Sequence, residues 1–127
     1  PMISSGVEMI IGSMQDPVFG PVVLCGLGGV TAEALRDTAI RVAPIDAIEA
    51  RAMVDSLRGR RLLDGMRGAP PADVDALVQA IVALSDLAVA GRDTIESIDV
   101  NPLRVLPRGQ GVLALDALVL PRTRIPD

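Results

Sequence analysis

Three oxygen-bearing side chains in the last third of the chain have the types and spacing to bind a hard metal cation. Asp99 and Asn101 lie two positions apart, so an extended strand places both on one face. Asp116 is the only charged residue in the apolar run 112–120. A carboxylate among apolar neighbours carries a desolvation cost, which a hard cation or an amide donor offsets. Because Mg²⁺ prefers carboxylate and carbonyl oxygens, these three residues predict a magnesium site.

The segments around these residues predict a β-hairpin that brings them together. Residues 107–111 form a five-residue connection between two β-prone runs. If Leu106 pairs with Val112, Asp116 lies opposite Pro102, and a slip of one residue puts it opposite Asn101. Pro102 interrupts the apolar alternation, which predicts a bulge or a strand end there. Without a metal, Asn101 would simply start a turn and Asp116 would be a satisfied buried acid, and spacing alone does not separate the two interpretations.

A glycine-rich segment, Gly26-Leu27-Gly28-Gly29, follows an apolar run and is a second candidate site. Glycines let backbone N–H groups approach an anion closely. The segment lacks the Gly-Lys-Ser/Thr ending of a Walker loop, and Thr31 stands where the dinucleotide fingerprint requires glycine. On pattern alone a turn is the commoner role for such a segment. Glu8, alone in another apolar run, is by pattern an outward charge on a half-buried strand.

Composition excludes several classes of function. The chain has 127 residues, room for one domain, and is 50% hydrophobic, yet Phe19 is its only aromatic residue. That leaves no platform for stacking bases, and a net charge of -4 also argues against a nucleic-acid partner. Histidine is absent, so the chain contains no imidazole base, zinc–histidine site or Ser-His-Asp triad.

Cys25 is the only cysteine, so no internal disulfide can form and a reducing compartment is expected. Its apolar neighbours predict a buried, inert thiol. The first residues given do not show a basic n-region followed by an apolar h-region, and no apolar run is long enough to span a bilayer. We therefore expect a soluble, cytoplasmic protein with no membrane partner.

Hydrophobic periodicity predicts the elements around these candidates. Residues 7–12 and 22–25 are predicted strands, whereas 30–43 fit either a helix or a strand. Two helices are predicted, one from Pro44 to Gly59 and one over 73–89, separated by a solvated basic loop at 60–71 whose arginines could instead hold phosphate or a carboxylate. The apolar stripe of the first helix comprises Ile45, Ile48, Ala52, Met53 and Leu57. The hairpin of 94–106 and 112–120 completes the chain.

Four motifs in a fixed order resemble the end of the ATP-grasp domain in NDP-forming acyl-CoA synthetases, which include succinyl-CoA synthetase and ADP-forming acetyl-CoA synthetase. The resemblance spans about Gly6 to Leu120 and implies an α+β fold, the C-terminal lobe of an ATP-grasp domain: a mostly antiparallel sheet with two covering helices and a strand within 30–43. The motifs are Gly6-Val7-Glu8-Met9-Ile10-Ile11-Gly12, Asp16-Pro17-Val18-Phe19-Gly20-Pro21-Val22, Gly26-Leu27-Gly28-Gly29-Val30 with Glu33 and Asp37, and Ile98-Asp99-Val100-Asn101-Pro102-Leu103 followed by Ala114-Leu115-Asp116-Ala117.

The resemblance also implies roles and cofactors. Asn101 and Asp116 match the protein ligands of a nucleotide-bound Mg²⁺, and ATP or ADP is the implied nucleotide. Asp99 matches a catalytic acidic position that helps to place a phosphohistidine arriving from another domain. The implied nucleotide-binding residues are Glu8, Gly26, Gly28, Gly29 and Glu33.

In that family the phosphohistidine belongs to a CoA-ligase domain or subunit, which agrees with the absence of histidine here. The implied partners are that domain and the N-terminal ATP-grasp lobe. Residues 1–127 are thus expected to be a single partial ATP-grasp domain, a fragment that is inactive alone. It should expose an apolar surface where the other lobe would sit, and a homo-oligomer is a possible consequence.

Two other functions remain open at this stage. Synthetase modules are also found fused to a protein lysine N-acetyltransferase, where they act in regulation. A plain α/β interaction domain without a nucleotide would leave the ordered motifs unexplained. The presence of Asp99, Asn101 and Asp116 favours catalysis over the regulatory role.

Overall fold

Six strands form one antiparallel sheet in a computed structural model that describes residues 6–28, 37–65 and 68–123. Strands pair in the order β3-β2-β1-β4-β5, and β6 pairs with β4 beyond β5, so β5 and β6 lie along one edge. The elements are β1 (Val7–Asp16), β2 (Gly20–Leu27), β3 (Thr38–Val42), α1 (Ala47–Asp55), a 3₁₀ helix (Arg58–Asp64), α2 (Val74–Ala90), β4 (Ile95–Val105), β5 (Val112–Ala114) and β6 (Ala117–Pro121).

Alternation along β1 separates the two faces of the sheet. Met9, Ile11 and Ser13 are buried, whereas Glu8 is half-buried and points to the other side. Their cross-strand partners on β2 include Leu27, Cys25 and Val23, which join the same core as the helices. We call the side that bears Glu8 the open face, because both α-helices pack on the other one.

Helices α1 and α2 cover that other face of the sheet. Asp73 caps α2 by accepting the Ala76 N–H at 3.2 Å, and Asp46 caps α1 by accepting the Glu49 N–H at 2.8 Å. The buried side chains of α2 follow helical spacing and meet those of α1 and the sheet: Leu77, Val78, Ile81, Leu84, Ser85 and Ala88 from α2, and Ala50, Met53 and Val54 from α1. The predicted fold class is therefore confirmed.

The first helix differs from its prediction. It ends at Asp55 with Ser56 as C-cap, so Gly59 does not terminate it. Ile48 is 81% exposed, because the buried stripe runs through Ala50, Met53 and Val54, and the prediction counted from Ile45, which precedes the helix. Of the ambiguous stretch 30–43, residues 38–42 form β3, as the family resemblance implied. Residues 29–36 lie outside the described ranges.

The predicted basic loop is partly helical, and one of its charges is neutralised locally. The Asp37 carboxylate accepts the backbone N–H groups of Arg58 and Gly59, each at 2.7 Å, where the 3₁₀ helix begins. Arg60 pairs with Asp55 and Asp64, each at 2.8 Å. Arg60 therefore contributes to local structure, and Arg67 lies outside the described residues.

Cys25 is fully buried, as its sequence context predicts, and burial raises the pKa of its thiol to about 12. Since the thiolate is the reactive form, we expect Cys25 to resist a thiol reagent at pH 8 in native protein and to react quickly once denaturant is added. A time course of labelling by mass spectrometry measures this. Rapid native labelling would contradict the buried placement.

Asp73 links the helical layer to the β4–β5 connection. One carboxylate oxygen of Asp73, Oδ1, caps α2. The other, Oδ2, accepts hydrogen bonds from the N–H groups of Gly109 at 3.1 Å and Gly111 at 2.8 Å. The hydrogen bond from Gly111, followed by that from Ala76, holds the pKa of this carboxyl below its ordinary value of 3.8. The start of α2 and the hairpin loop are thus fixed by one ionised group.

We predict that Asp73→Ala lowers the melting temperature at pH 7, and that the difference from wild type shrinks in acid. Because the pKa of Asp73 is lower in the folded state than in the unfolded state, its ionised form stabilises the fold. This stabilisation is complete above about pH 4 and is lost as the pH falls through the folded-state pKa. Thermal unfolding followed by circular dichroism from pH 7 to pH 2 tests this. Asp86→Asn, an exposed site on the same helix, is the control and should show no such trend.

Candidate functional site

A β-bulge in β4 shapes the candidate site. On β1, Met9 pairs with Leu103 and Ile11 pairs with Val100. Two residues of β4, Asn101 and Pro102, therefore lie opposite the single β1 residue Ile10. The alternation of buried side chains along β4 therefore shifts by one residue: Ile98 is buried before the bulge, and Leu103 and Val105 are buried after it. The irregularity expected at Pro102 is confirmed, and it lies at the proposed metal-binding residue Asn101.

Asp116 lies directly opposite Asn101. The backbone N–H of Asn101 donates to the carbonyl oxygen of Asp116 at 3.0 Å, and the flanking pairs Leu103–Ala114 and Val100–Ala117 keep the same register. Leu106 pairs with Gly111 and not with Val112, so the hairpin has the register that puts Asp116 opposite Asn101. Directly opposed residues of an antiparallel pair project to the same side, so the two side chains share one face.

Asp99 joins them on the open face. It pairs with Gly12 on one side and Leu118 on the other, whereas its neighbour Ile98 is buried beneath the helices. Gly12 brings no side chain next to Asp99, and a Cβ there would lie 2.9 Å from the Ile98 carbonyl oxygen and 3.7 Å from Leu24 Cγ. The sheet therefore places two exposed carboxylates and one exposed amide on the same face.

The desolvation argument for Asp116 is wrong. Asp116 is exposed, and so is every residue from 113 to 120, because β5 and β6 form an outer edge of the sheet. What supports a cation site is the placement of three oxygen-bearing side chains on one face, not a buried charge that requires a cation. Across 6–28, 37–65 and 68–123, no three carboxylate or cysteine side chains converge as a metal cage. Asn101, Asp116 and Asp99 fit a site in which other ligands complete the coordination.

Gly26 and Gly28 are required first for close backbone packing. A Cβ at Gly26 would lie 2.7 Å from Thr38 Cγ2, and one at Gly28 would lie 3.2 Å from the Met9 carbonyl oxygen. The Gly28 N–H already donates to the Glu8 carbonyl oxygen at 2.9 Å. Nucleotide binding by these two glycines stays a prediction, and Gly29 and Glu33 lie outside the described residues.

Glu8 has a partner that the sequence analysis missed. Its carboxylate accepts a hydrogen bond from Arg104 Nη2 at 3.3 Å, across the β1–β4 pairing and on the open face. Arg104 follows Asn101 by three positions, which on a regular strand would place it on the opposite face. Only the bulge, whose location the proline indicated, brings both to one side.

An exposed apolar surface surrounds these polar groups, as the sequence analysis expected. It comprises side chains that are about half exposed and lie on the open-face register of β1, β3, β5 and β6: Met14, Ile40, Val42, Leu113, Leu118 and Leu120. The open face is thus a polar cluster bordered by uncovered hydrophobic side chains.

Comparison with known proteins identifies the family to which this fold belongs. Residues 1–120 match a family described as the ATP-grasp domain. The chain is 46% identical over 115 residues to a trans-feruloyl-CoA synthase from an unknown prokaryotic organism, covering 91% of this chain and 16% of that protein. It is 38% identical over 120 residues to the beta subunit of the ADP-forming acetate–CoA ligase II of Pyrococcus furiosus, covering 94% of this chain and 51% of the subunit.

A solved structure resembles the fold closely. The dinucleotide-forming acetyl-coenzyme A synthetase 1 of Ca. Korarchaeum cryptofilum aligns with a TM-score of 0.86 at 37% identity, over 95% of this chain and 55% of that one. That structure is a complex with coenzyme A and Mg-AMPPCP in which a phosphohistidine segment points towards the nucleotide-binding site. The sheet, its open face and these matches define a nucleotide-binding class of fold.

The chain belongs to the ATP-grasp family, and its resemblance to NDP-forming acyl-CoA synthetases is confirmed. It spans about half the length of the Pyrococcus furiosus beta subunit and about a sixth of the trans-feruloyl-CoA synthase, as their covered shares of 51% and 16% show. No helix in the described part of the chain has the length and apolarity needed to cross a membrane.

Proposed function

We propose that this chain is the C-terminal lobe of the ATP-grasp domain in an ADP-forming acyl-CoA synthetase, and that its open face binds Mg²⁺ with ATP or ADP. The observation that carries the proposal is the 3.0 Å backbone hydrogen bond from the Asn101 N–H to the Asp116 carbonyl oxygen. It makes the two residues directly opposed, so that their side chains lie on the face that also bears Asp99. The complex of the Korarchaeum relative with Mg-AMPPCP supports the same class of ligand.

Asp116 would hold the metal through its carboxylate and Asn101 through its amide oxygen. Mg²⁺ is octahedral and usually keeps phosphate and water ligands, so two protein ligands on an exposed face suffice. When bound, the ion neutralises charge on the phosphates during phosphoryl transfer. Asn101 and Asp116 would thereby fix the position of the nucleotide relative to β4.

Asp99 would position the group that exchanges phosphoryl with the nucleotide. The chain contains no histidine, so a phosphohistidine must come from another domain or subunit. An exposed carboxylate can accept a hydrogen bond from one imidazole nitrogen, which orients the ring and leaves its other nitrogen for the phosphoryl group. Asp99 is exposed, so its carboxylate is accessible to such a segment.

The whole enzyme would convert an acyl-CoA, phosphate and ADP reversibly into the acid, CoA and ATP. On this proposal residues 1–127 are a partial domain, the N-terminal lobe covers the apolar part of the open face, and a CoA-ligase domain or subunit delivers the phosphohistidine. A cytoplasmic location and self-association of the separate chain through that face are part of the same proposal.

Asp99→Asn in the complete enzyme should reduce phosphoenzyme formation from ATP about tenfold or more, while the dissociation constant for ATP stays within about twofold. The change keeps the shape of the side chain and removes its charge. Phosphoenzyme is measured by radiolabel transfer and affinity by calorimetry. Glu96→Gln is the control, an exposed acid on the same strand at the irregularity between Ile95 and Ser97, where it has no assigned role. Equal losses in binding and transfer would defeat the assigned role.

Asp116→Asn and Asn101→Ala should each raise the Mg²⁺ concentration needed for half-maximal nucleotide binding. Because both would ligate one ion, the double variant should lose less than the sum of the two single losses. Magnesium titrations at fixed ADP, followed by calorimetry, measure this requirement. Asp93→Asn, an exposed carboxylate in the turn before β4, should change nothing. Additive losses, or none, would show that the two residues do not share a cation.

A further inference from the structure

Gly6 leaves a space that the side chain of Arg104 fills. A Cβ at Gly6 would lie 2.9 Å from Arg104 Cγ and 3.3 Å from Arg104 Cδ, and 2.8 Å from the Val105 carbonyl oxygen. Gly6 also has φ +115°, a backbone conformation that favours glycine. The aliphatic stem of Arg104 is therefore held against the backbone at the start of β1, and its direction is fixed.

The end of the same side chain is held by Glu8. Oε1 of Glu8 accepts a hydrogen bond from Arg104 Nη2 at 3.3 Å, and the side chains are 36% and 29% exposed. A guanidinium has five N–H donors in a fixed plane. Among the described residues Arg104 makes this single side-chain hydrogen bond, so most of its donors remain available on a partly exposed face.

The charge of Arg104 is distinctive where it stands. Every basic residue of this chain is an arginine, and Arg104 is the only one that strands β1 to β6 place on the open face, where Glu8, Asp99 and Asp116 supply carboxylates. Arg41 lies on β3 at a position that alternates to the other face. The sole cation on the described strands of this face is thus oriented by Gly6 and Glu8 and lies on the same strand as Asn101.

We propose that Arg104 binds a phosphate oxyanion on the open face and that Glu8 is its positioning residue. The inference rests on the proposed function and refines it, since Glu8 then acts on the nucleotide site through Arg104. Planar N–H donors match phosphate oxygens, and such charge-assisted hydrogen bonds are strong. A surface ion pair by itself stabilises a fold little. Ligand binding therefore explains better than stability why the guanidinium of Arg104 is oriented beside the proposed nucleotide site.

The test uses the complete enzyme and compares ADP with adenosine, which lacks phosphate. Arg104→Met keeps most of the stem and removes the donors, so it should weaken ADP binding about 10- to 100-fold, the loss expected for a charged hydrogen bond, and leave adenosine binding unchanged. Arg41→Met is the matched control and should bind both ligands as wild type does. Glu8→Gln should weaken ADP binding by less, and its effect should vanish in the Arg104→Met background.

The oxyanion could belong to the nucleotide or to the phosphorylated segment, and a second measurement separates them. If Arg104→Met binds ADP normally but transfers phosphoryl slowly from phosphoenzyme at saturating ADP, the protein phosphate is the ligand. If it lowers thermal stability alone, or leaves binding and transfer unchanged, Arg104 and Glu8 are only a structural pair and the inference is overturned. Wild-type enzyme that failed to bind ADP would instead defeat the proposed function itself.

Discussion

The bulge at Asn101 and Pro102 is the constraint on which the arrangement of the open face depends. Two residues of β4 share the space opposite one residue of β1, so the strand changes which positions it buries. Before the bulge it exposes Asp99, and after it Arg104, while Ile98 and Leu103 both stay in the core. Without that change of phase, either the charged groups would separate onto two faces or the core would lose an apolar side chain.

The helical layer packs against the core side of this strand. Buried residues of α1 and α2 pack on the core side of β1, β2 and β4, and Asp73 attaches the start of α2 to the loop that follows β4. One face of the sheet is thereby committed to stability, which frees the other to carry exposed carboxylates and half-exposed hydrophobic side chains. Such a division of labour suits a surface that is completed by a second structural layer and a ligand between them.

Much of the fold could be predicted from local patterns. The spacing of Leu77, Val78 and Ile81 with Asp73 and Gly91 at the ends identifies α2 nearly to the residue, because apolar period and caps agree. The first helix was harder, since Ile48 fits an apolar stripe by type but lies outside it by angle. The local sequence does not indicate which side of the helix faces the sheet, and that orientation decides whether Ile48 is buried.

The candidate site was predictable in part. The types and order of Asp99, Asn101 and Asp116 indicate it, but their register depended on whether Val112 or Gly111 pairs with Leu106, a choice that loop length does not fix. The environment of Asp116 could not be inferred from its apolar neighbours, because an edge strand exposes both of its faces. Arg104 could not be found from strand periodicity, since its face is set by a bulge upstream.

Strand β6 has a further consequence for how the chain behaves outside its full assembly. Leu118, Val119 and Leu120 are consecutive and about half exposed, so this edge is apolar on both sides and carries backbone groups suited to pairing with another strand. Exposed edges of this kind promote intermolecular β-pairing and aggregation. The run is bounded by Asp116, whose charge opposes stacking of identical edges, and by Pro121, which cannot donate a backbone hydrogen bond. The carboxylate that we propose as a metal ligand would thus also limit pairing between identical edges, and neutralising it would weaken that protection.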